Sequence, residues 1–175
     1  MTQNRRFRKA GLAAAALTCT AVTASLLVQM PTRLIWNVSA SVPTGLYAVS
    51  PPHSLRRGDL VAVAPPEPLA TSLIERGYIG RGAPLLKRIE ALPGAKVCRD
   101  GTRVTVDGAL RAIAREHDRF GRPLPRWSGC RIVSDDELFL LNAEQPASLD
   151  GRYFGPLPRQ SVVGRASPLW TREAR

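Results

Sequence analysis

The sequence predicts a mainly β protein with one N-terminal transmembrane helix. Three observations support this fold class. Short apolar segments, several with alternating character, recur after residue 45 and end at turn residues. The 175 residues include 15 prolines and 14 glycines, which is many for a helical protein but suits strands joined by turns. The one long apolar stretch lies near the N-terminus, at residues 10–32.

This apolar stretch is uncharged and long enough for the ~20 residues that a membrane-spanning helix needs. Four basic residues precede it: Arg5, Arg6, Arg8 and Lys9. Basic residues before a span favour a cytoplasmic N-terminus. We therefore expect a cytoplasmic segment at 1–9, a transmembrane helix or signal anchor at 10–32, and an exported domain at 33–175. A secretory signal cleaved near Thr23-Ala24-Ser25, or a buried helix, remains an alternative.

The exported part shows apolar or alternating segments that are closed by Pro, Gly or Asp-Gly turns. These segments predict strands at 46–49, 59–64, 85–92, 96–98, 103–106, 137–141 and 161–166. One helix is predicted at 68–77, where Leu69, Leu73 and Ile74 give a partial apolar face. Residues 109–129 are polar, basic and contain Pro and Gly, so an inserted surface loop or irregular lobe is expected there.

Cysteine usage agrees with export. Cys98 and Cys130 are the only cysteines beyond the apolar stretch, and an oxidising compartment makes a disulfide between them plausible. Two unrelated buried thiols are the alternative. The two histidines, His53 and His117, lie in polar, turn-like surroundings, so neither a zinc site nor a Ser-His-Asp triad is expected.

The formal charge of +11 invites a nucleic-acid interpretation. The arginines are scattered, however, and neither a basic helix nor a basic surface interleaved with aromatic residues is evident. We therefore expect no nucleic-acid partner. A basic surface that faces anionic lipid, or an arginine-rich composition alone, accounts for the charge.

Candidate chemistry lies in two residues, Ser41 and Lys87. Beyond the apolar stretch the chain contains only two lysines, Lys87 and Lys96, and arginine supplies nearly all other positive charge. A serine hydroxyl needs a base to become a nucleophile. A lysine can be that base when apolar surroundings disfavour its charged form, whereas arginine stays protonated. An ordinary turn serine and an edge-strand lysine that guards against aggregation are the alternatives.

Four segments resemble the type I signal peptidases in order and spacing. They are a nucleophile segment at 39–44, an Arg-Gly-Asp-Leu-Val segment at 57–61, a lysine segment at 86–94 and a C-terminal segment at 148–156. The Pro-Thr-Gly-Leu-Tyr and Arg-Tyr-Phe-Gly-Pro runs look most like the conjugative-transfer branch, the TraF-type peptidases. The resemblance implies the bent antiparallel sheets of the signal-peptidase/LexA-like fold and a serine endopeptidase without metal or cofactor.

The resemblance also implies roles for single residues. Ser41 would be the acylating nucleophile and Lys87 its general base. The Ser39 hydroxyl would join the Ser41 backbone N–H in stabilising the oxyanion. Asp150 and Arg152 would support the lysine and its strand, although a weak surface turn pair is the alternative. Signal peptidases commonly have a serine where this chain has Gly151, so another hydroxyl or a water would have to replace that support.

The expected function is processing of a preprotein or pilin, bound as an extended strand, by a monomer anchored in the bacterial inner membrane with its catalytic domain in the periplasm. Pilin maturation, including cyclisation, is the specific expectation. A general secretory signal peptidase and a non-enzymatic, membrane-anchored assembly protein remain alternatives. The export signal and the lack of a DNA-binding segment argue against a self-cleaving regulator of the LexA type.

Overall fold

A computed structural model of the protein describes residues 34–172, together with Ala16, Leu17 and Thr20. The predicted basic segment at 1–9 and, apart from those three residues, the predicted transmembrane helix at 10–32 lie outside the described residues. Within the described part of the chain, no helix has the length and apolar character needed to cross a membrane.

Residues 34–172 are mainly β, as predicted, with two short α-helices and one 3₁₀ turn at Arg159–Ser161. The helices are α1 (Leu69–Glu75) and α2 (Gly151–Phe154). The strands are β1 (Leu34–Asn37), β2 (Thr44–Ser50), β3 (Leu60–Val63), β4 (Leu85–Ala91), β5 (Lys96–Asp100), β6 (Arg103–Val106), β7 (Ala109–Ile113), β8 (Gly129–Ile132), β9 (Glu137–Leu140), β10 (Leu157–Pro158) and β11 (Val162–Arg172).

A seven-stranded sheet carries the candidate site, in the order β1-β2-β11-β3-β4-β9-β10, with antiparallel pairing between neighbours. The long strand β11 pairs with β2 along one part and with β3 along another. Its register shifts between Val162 and Gly164 and again between Pro168 and Trp170. Such irregularities bend a strand and increase its twist, which lets one strand serve two partners.

A second sheet has the order β7-β6-β5-β8, again antiparallel. Cys98 on β5 lies opposite Cys130 on β8, and a disulfide joins them. The bond closes a separation of 32 residues. Cross-links of this length contribute on the order of 3 kcal/mol by limiting the unfolded chain.

The core forms three apolar clusters. Two of them include side chains of the central strand β3, whose four residues are all buried. The third packs the second sheet against Phe139 and Leu141. The central strands β3 and β4 are therefore held from both faces, and β4 is the strand that carries Lys87.

Several local predictions differ from the structure. The expected irregular segment at 109–129 begins with β7, and its last residue, Gly129, is the first residue of β8. Four of the five residues of β7 are apolar, but they do not alternate with polar residues, so their pattern did not predict a strand. The four-residue strand β1 was not predicted, because it follows closely on the long apolar stretch. The single turn α2 also escaped prediction, since a period of 3.6 cannot be read from four residues.

Candidate active site

Ser41 lies in the tight turn between β1 and β2, and Asn37 shapes that turn. The buried Asn37 side chain donates from Nδ2 to the carbonyl oxygens of Ser39 at 2.8 Å and Pro43 at 3.1 Å. Its Oδ1 accepts the Ser39 N–H at 3.1 Å. The Tyr47 hydroxyl also donates to the Pro43 carbonyl, at 2.6 Å. These bonds satisfy the turn's polar backbone and hold Ser41 at the end of the sheet.

Lys87 reaches Ser41 from β4, which is separated from β2 by β11 and β3 in the sheet order. It lies on β4 opposite Val61 of β3, and only 4% of the residue is exposed. Its Nζ is 3.2 Å from Ser41 Oγ, which is hydrogen-bond distance. The structure therefore brings together the two residues that the sequence analysis paired, across 46 positions of chain.

The environment of Lys87 favours its neutral form. Burial lowers the pKa of Lys87 to about 8; the Asp150 carboxylate opposes this shift and the Arg152 guanidinium adds to it. At pH 7 about one molecule in ten would then carry the uncharged amine that can accept a proton. A general base works best when its pKa lies near the working pH.

Ser148, which the sequence analysis did not single out, also contacts the lysine. Its Oγ lies 3.1 Å from Lys87 Nζ, and the residue is buried. The amine is thus held between two hydroxyls, those of Ser41 and Ser148. Ser148 lies in the C-terminal segment that resembles signal peptidases, and its position in that segment was the only sequence signal for its role.

Gly151 cannot supply the hydroxyl that was expected beside the lysine, and the structure shows why it is a glycine. A Cβ at this position would lie 2.6 Å from the Leu140 carbonyl oxygen and 2.7 Å from Phe139 Cε2. Real Cβ atoms do not approach other atoms so closely, so a larger residue would displace β9. The support that seemed to be missing at position 151 is present three residues earlier, at Ser148.

Ser39 is placed beside Ser41, as the resemblance implied. Its Oγ is 2.9 Å from Ser41 Oγ and accepts the Ser41 backbone N–H at 3.3 Å. The Ser41 N–H and the Ser39 hydroxyl, the two groups expected to stabilise an oxyanion, are therefore hydrogen-bonded to each other. The Ser39 hydroxyl also lies beside the Ser41 hydroxyl that would attack the substrate.

Asp150 and Arg152 form a buried ion pair, not a surface turn pair. Both side chains are at most 1% exposed, and Arg152 Nε donates to Asp150 Oδ1 at 2.8 Å. Asp150 also caps α2 by accepting the Arg152 N–H. In residues 34–172 no hydrogen bond joins either residue directly to Lys87. Their effect on the lysine is therefore electrostatic and positional.

Asn142 is the second residue that the sequence analysis missed. It is buried, and its Nδ2 donates to the Ser41 carbonyl at 2.9 Å and to the Leu86 carbonyl at 3.1 Å. Its Oδ1 accepts the Arg88 N–H at 3.0 Å. One side chain thus ties the nucleophile turn to the lysine strand.

The Asn142 backbone extends the same network to the buried ion pair. Its N–H donates to Asp150 Oδ2 at 3.0 Å, and its carbonyl accepts Arg152 Nη2 at 2.8 Å. Asn142 therefore contacts Ser41, Asp150 and Arg152 directly, and it contacts the lysine strand at Leu86 and Arg88, the residues on either side of Lys87.

Three cavities include Ser41 in their lining. One, with a volume of about 490 Å³, also includes Ser39 and Ser148. The other two share only Ser41 among the described residues. The apolar cleft has a volume of about 350 Å³ and includes Ile35, Leu73, Leu85, Leu86 and Leu149 among its lining residues. The arginine pocket has a volume of about 300 Å³ and includes Arg57, Arg88, Glu90, Arg111 and Glu144 among its lining residues. No group of three or more His, Cys, Asp or Glu side chains in the described residues could hold a metal ion.

Comparison with known proteins agrees with the expected family. The family model described as signal peptidase, peptidase S26, matches residues 5–170. The conjugal transfer protein TraF of Agrobacterium fabrum (strain C58) is 36% identical over 151 residues, which cover 77% of this chain and 81% of the relative. A plasmid transfer protein TraF of Escherichia coli is 32% identical over 145 residues, with the same coverage.

A crystal structure of a signal peptidase I from Enterococcus faecalis V583 shares 19% identity, covers 65% of this chain and 97% of its own, and has a TM-score of 0.38. The assignment rests on the sequence matches, which confirm the resemblance to type I signal peptidases and to their TraF-type branch. The chain belongs to the signal peptidase family, peptidase S26.

Proposed function

We propose that this protein is a serine endopeptidase in which Ser41 is the nucleophile and Lys87 the general base. The observation that carries the proposal is the 3.2 Å approach of a buried amine to the Ser41 hydroxyl. A serine next to a base of lowered pKa is the arrangement that nucleophilic catalysis requires. An edge-strand lysine would be exposed, whereas Lys87 lies on a central strand and is 4% exposed.

The proposed reaction has two stages. Neutral Lys87 takes the proton from Ser41 Oγ while the oxygen attacks a peptide carbonyl carbon. The resulting oxyanion is stabilised by the Ser41 N–H and the Ser39 hydroxyl. The C–N bond then breaks, the leaving amine takes the proton from Lys87, and an ester remains on Ser41. Water, or an amine of the same substrate, then attacks the ester carbon and gives a proton to Lys87. The bond between that carbon and Ser41 Oγ breaks, Lys87 returns the proton to Oγ, and a linear or a cyclic product leaves.

The family and the exposed edge of the sheet support a proposal for the substrate class. The strand β1 ends the seven-stranded sheet, and its residues Ile35, Trp36 and Asn37 line the apolar cleft next to Ser41. An extended peptide can add to such an edge by backbone hydrogen bonds. We propose that the substrate is an exported preprotein bound in this way.

The relatives support a more specific role. The two TraF relatives are named conjugal or plasmid transfer proteins. We propose that this chain matures a pilin subunit for a conjugative transfer system, with cyclisation as the outcome when an amine of the pilin attacks the ester. The proposed setting is the bacterial inner membrane, with residues 10–32 as anchor, the catalytic domain on the periplasmic side in contact with membrane lipid, and a monomer as the working form.

Mass spectrometry of the candidate pilin, produced with and without this chain, tests the proposal. We expect a shortened pilin only when the chain is present, and none with Ser41→Ala or Lys87→Ala, each inserted and folded. A cyclic product would be lighter than the linear one by one water. Retained cleavage by Lys87→Ala would remove the lysine from the mechanism.

A general secretory signal peptidase is the second candidate, because the matched family model covers such enzymes. Cleavage of many unrelated preproteins, with the candidate pilin left intact, would favour it. The non-enzymatic alternative predicts that Ser41 does not react with a serine-directed acylating inhibitor.

A further inference from the structure

The arginine pocket beside Ser41 is not used by the reaction described above. It contains three arginines and two glutamates, and in the described part of the chain Ser41 is the one residue that it shares with the apolar cleft. Arg88 follows Lys87 on β4, and successive strand residues point to opposite faces. One strand therefore directs the proposed base to one side and a guanidinium to the other.

Glu90 anchors two of these arginines. Its side chain is 9% exposed, and its Oε1 lies 2.6 Å from Arg57 Nη2 and 2.7 Å from Arg111 Nε. A buried carboxylate needs such partners, because an unpaired buried charge is strongly unfavourable. Arg57 donates a hydrogen bond to this carboxylate, whereas Arg111 Nε lies within ion-pair distance but makes no hydrogen bond among the described residues. One negative charge is therefore paired with two positive ones beside the pocket.

Several guanidinium donors remain available for a ligand. In residues 34–172 the terminal nitrogens of Arg111 make no hydrogen bond, and Arg57 uses only Nη2. Arg88 donates only from Nη1 among its side-chain nitrogens, to the Gly58 carbonyl at 3.2 Å. The second acid of the pocket, Glu144, is exposed and joins no ion pair among the described residues. The donors outnumber the acceptors in a pocket that opens onto the nucleophile.

We propose that the arginine pocket binds a carboxylate of the peptide substrate, located within a few residues of the cleaved bond and on the side away from the apolar cleft. The inference rests on the proposed peptidase function, because it takes the ligand to be part of the substrate. Guanidinium groups match carboxylate geometry and can bind it through two parallel hydrogen bonds. An acidic side chain and a free C-terminus offer the same chemistry.

The proposal also gives a role to the segment 109–129. Arg111 is carried on β7, the first part of that segment, and β7 pairs with β6 at the edge of the second sheet. The segment thus contributes a binding residue to a pocket whose other walls come from the seven-stranded sheet and its loops.

Binding of short peptides to the full-length Ser41→Ala protein in detergent micelles tests the inference without requiring catalysis. The probes are three acetylated tripeptides. Acetyl-Ala-Glu-Ala-amide carries a side-chain carboxylate, acetyl-Ala-Gln-Ala carries a free C-terminus, and acetyl-Ala-Gln-Ala-amide carries neither. NMR of the arginine Nε–Hε signals reports affinity and location together.

We expect at least one acidic probe to bind about tenfold more tightly than the uncharged probe, as charge-assisted hydrogen bonds allow. That probe should shift the Arg111 signal. Which acidic probe binds tells an acidic side chain from a free terminus. Arg111→Gln should abolish the preference, whereas Arg103→Gln, an exposed arginine on β6 outside the pocket, should retain it.

Equal binding of all three probes, or an unchanged preference in Arg111→Gln, would overturn the proposal. Should Arg111→Gln unfold because Glu90 loses a partner, Arg88→Gln provides the same test, since Arg88 does not pair with Glu90. A separate measurement tests the peptidase function itself. If that function were wrong, a serine-directed acylating inhibitor would leave Ser41 of the wild-type protein unmodified.

Discussion

Asn142 Nδ2 donates a hydrogen bond to the backbone carbonyl of Ser41 over 2.9 Å, although 101 positions of chain separate the two residues. The same amide group also binds the Leu86 carbonyl, next to Lys87. The 3.2 Å separation between base and nucleophile is therefore set by a third residue that contacts the backbone of both segments. Asn142 is a positioning residue, not a reacting one.

Asn142→Ala should lower kcat about a hundredfold and leave KM nearly unchanged, since small misplacement of reacting groups has effects of this size. The loss of buried hydrogen bonds should also lower the free energy of unfolding by about 1–3 kcal/mol. Steady-state kinetics and urea unfolding measure the two effects.

Asn142→Asp tests the effect of charge beside the lysine. It keeps the acceptor for the Arg88 N–H and loses the two hydrogen bonds that Nδ2 donates. The negative charge that it brings toward Lys87 should raise the midpoint of the pH–rate profile above that of the parent. Gln160→Ala, on the exposed 3₁₀ turn, should match the parent in every measurement. Unchanged kcat in Asn142→Ala would show that other contacts position the two groups.

The rate should depend on pH through Lys87. Burial lowers the pKa of this amine to about 8, so kcat/KM should rise about tenfold per pH unit below pH 8 and level off above it. The measurement is kcat/KM from pH 6 to pH 10 on one peptide substrate. A profile that is flat over this range, or that falls with pH, would contradict a lysine base.

Stability should follow the same titration. The folded chain releases the Lys87 proton near pH 8, whereas the unfolded chain holds it up to the ordinary pKa of 10.5. Between these values the unfolded chain binds more protons, so this group makes the free energy of unfolding rise with pH. Comparing the parent with Lys87→Met by urea unfolding at pH 8 and pH 10 isolates the contribution, which the methionine variant should lack.

Ser148→Ala should weaken the base without removing it. The variant deletes one of the two hydroxyls that hold the amine, a contact of 3.1 Å, and leaves the 3.2 Å contact with Ser41. We expect kcat to fall about tenfold, the effect of one hydrogen bond worth roughly 1 kcal/mol together with looser placement. Ser148→Thr, which keeps the hydroxyl, should recover part of the rate. An equal loss in both variants would point to packing instead of the hydrogen bond.

The predictability of each residue from sequence depends on where its partners lie. Ser41 and Lys87 could be found because a lysine at an apolar position of an arginine-rich chain is unusual and because their segments resemble a family. Asn142 could not be found, since its hydrogen bonds reach 56 and 101 positions along the chain and leave no local pattern. The central strands were predicted from apolar runs that end at turn residues, whereas the apolar residues of β7 are interrupted by Arg111 and do not alternate.

Gly151→Ala should destabilise the fold, although Gly151 lies in a short helix where alanine is normally favoured. The new Cβ would meet the Leu140 carbonyl at 2.6 Å and the buried Phe139 ring at 2.7 Å, and relief of such overlap typically costs about 1–3 kcal/mol. Urea unfolding measures the loss, and Gly80→Ala is the matched control because its Cβ would meet nothing closer than 4.0 Å.

Gly151→Ser should be no more active than Gly151→Ala, since Ser148 already supplies the hydroxyl beside the lysine. A Gly151→Ala protein as stable as the parent would mean that β9 can move aside, and the steric explanation for this glycine would then be wrong.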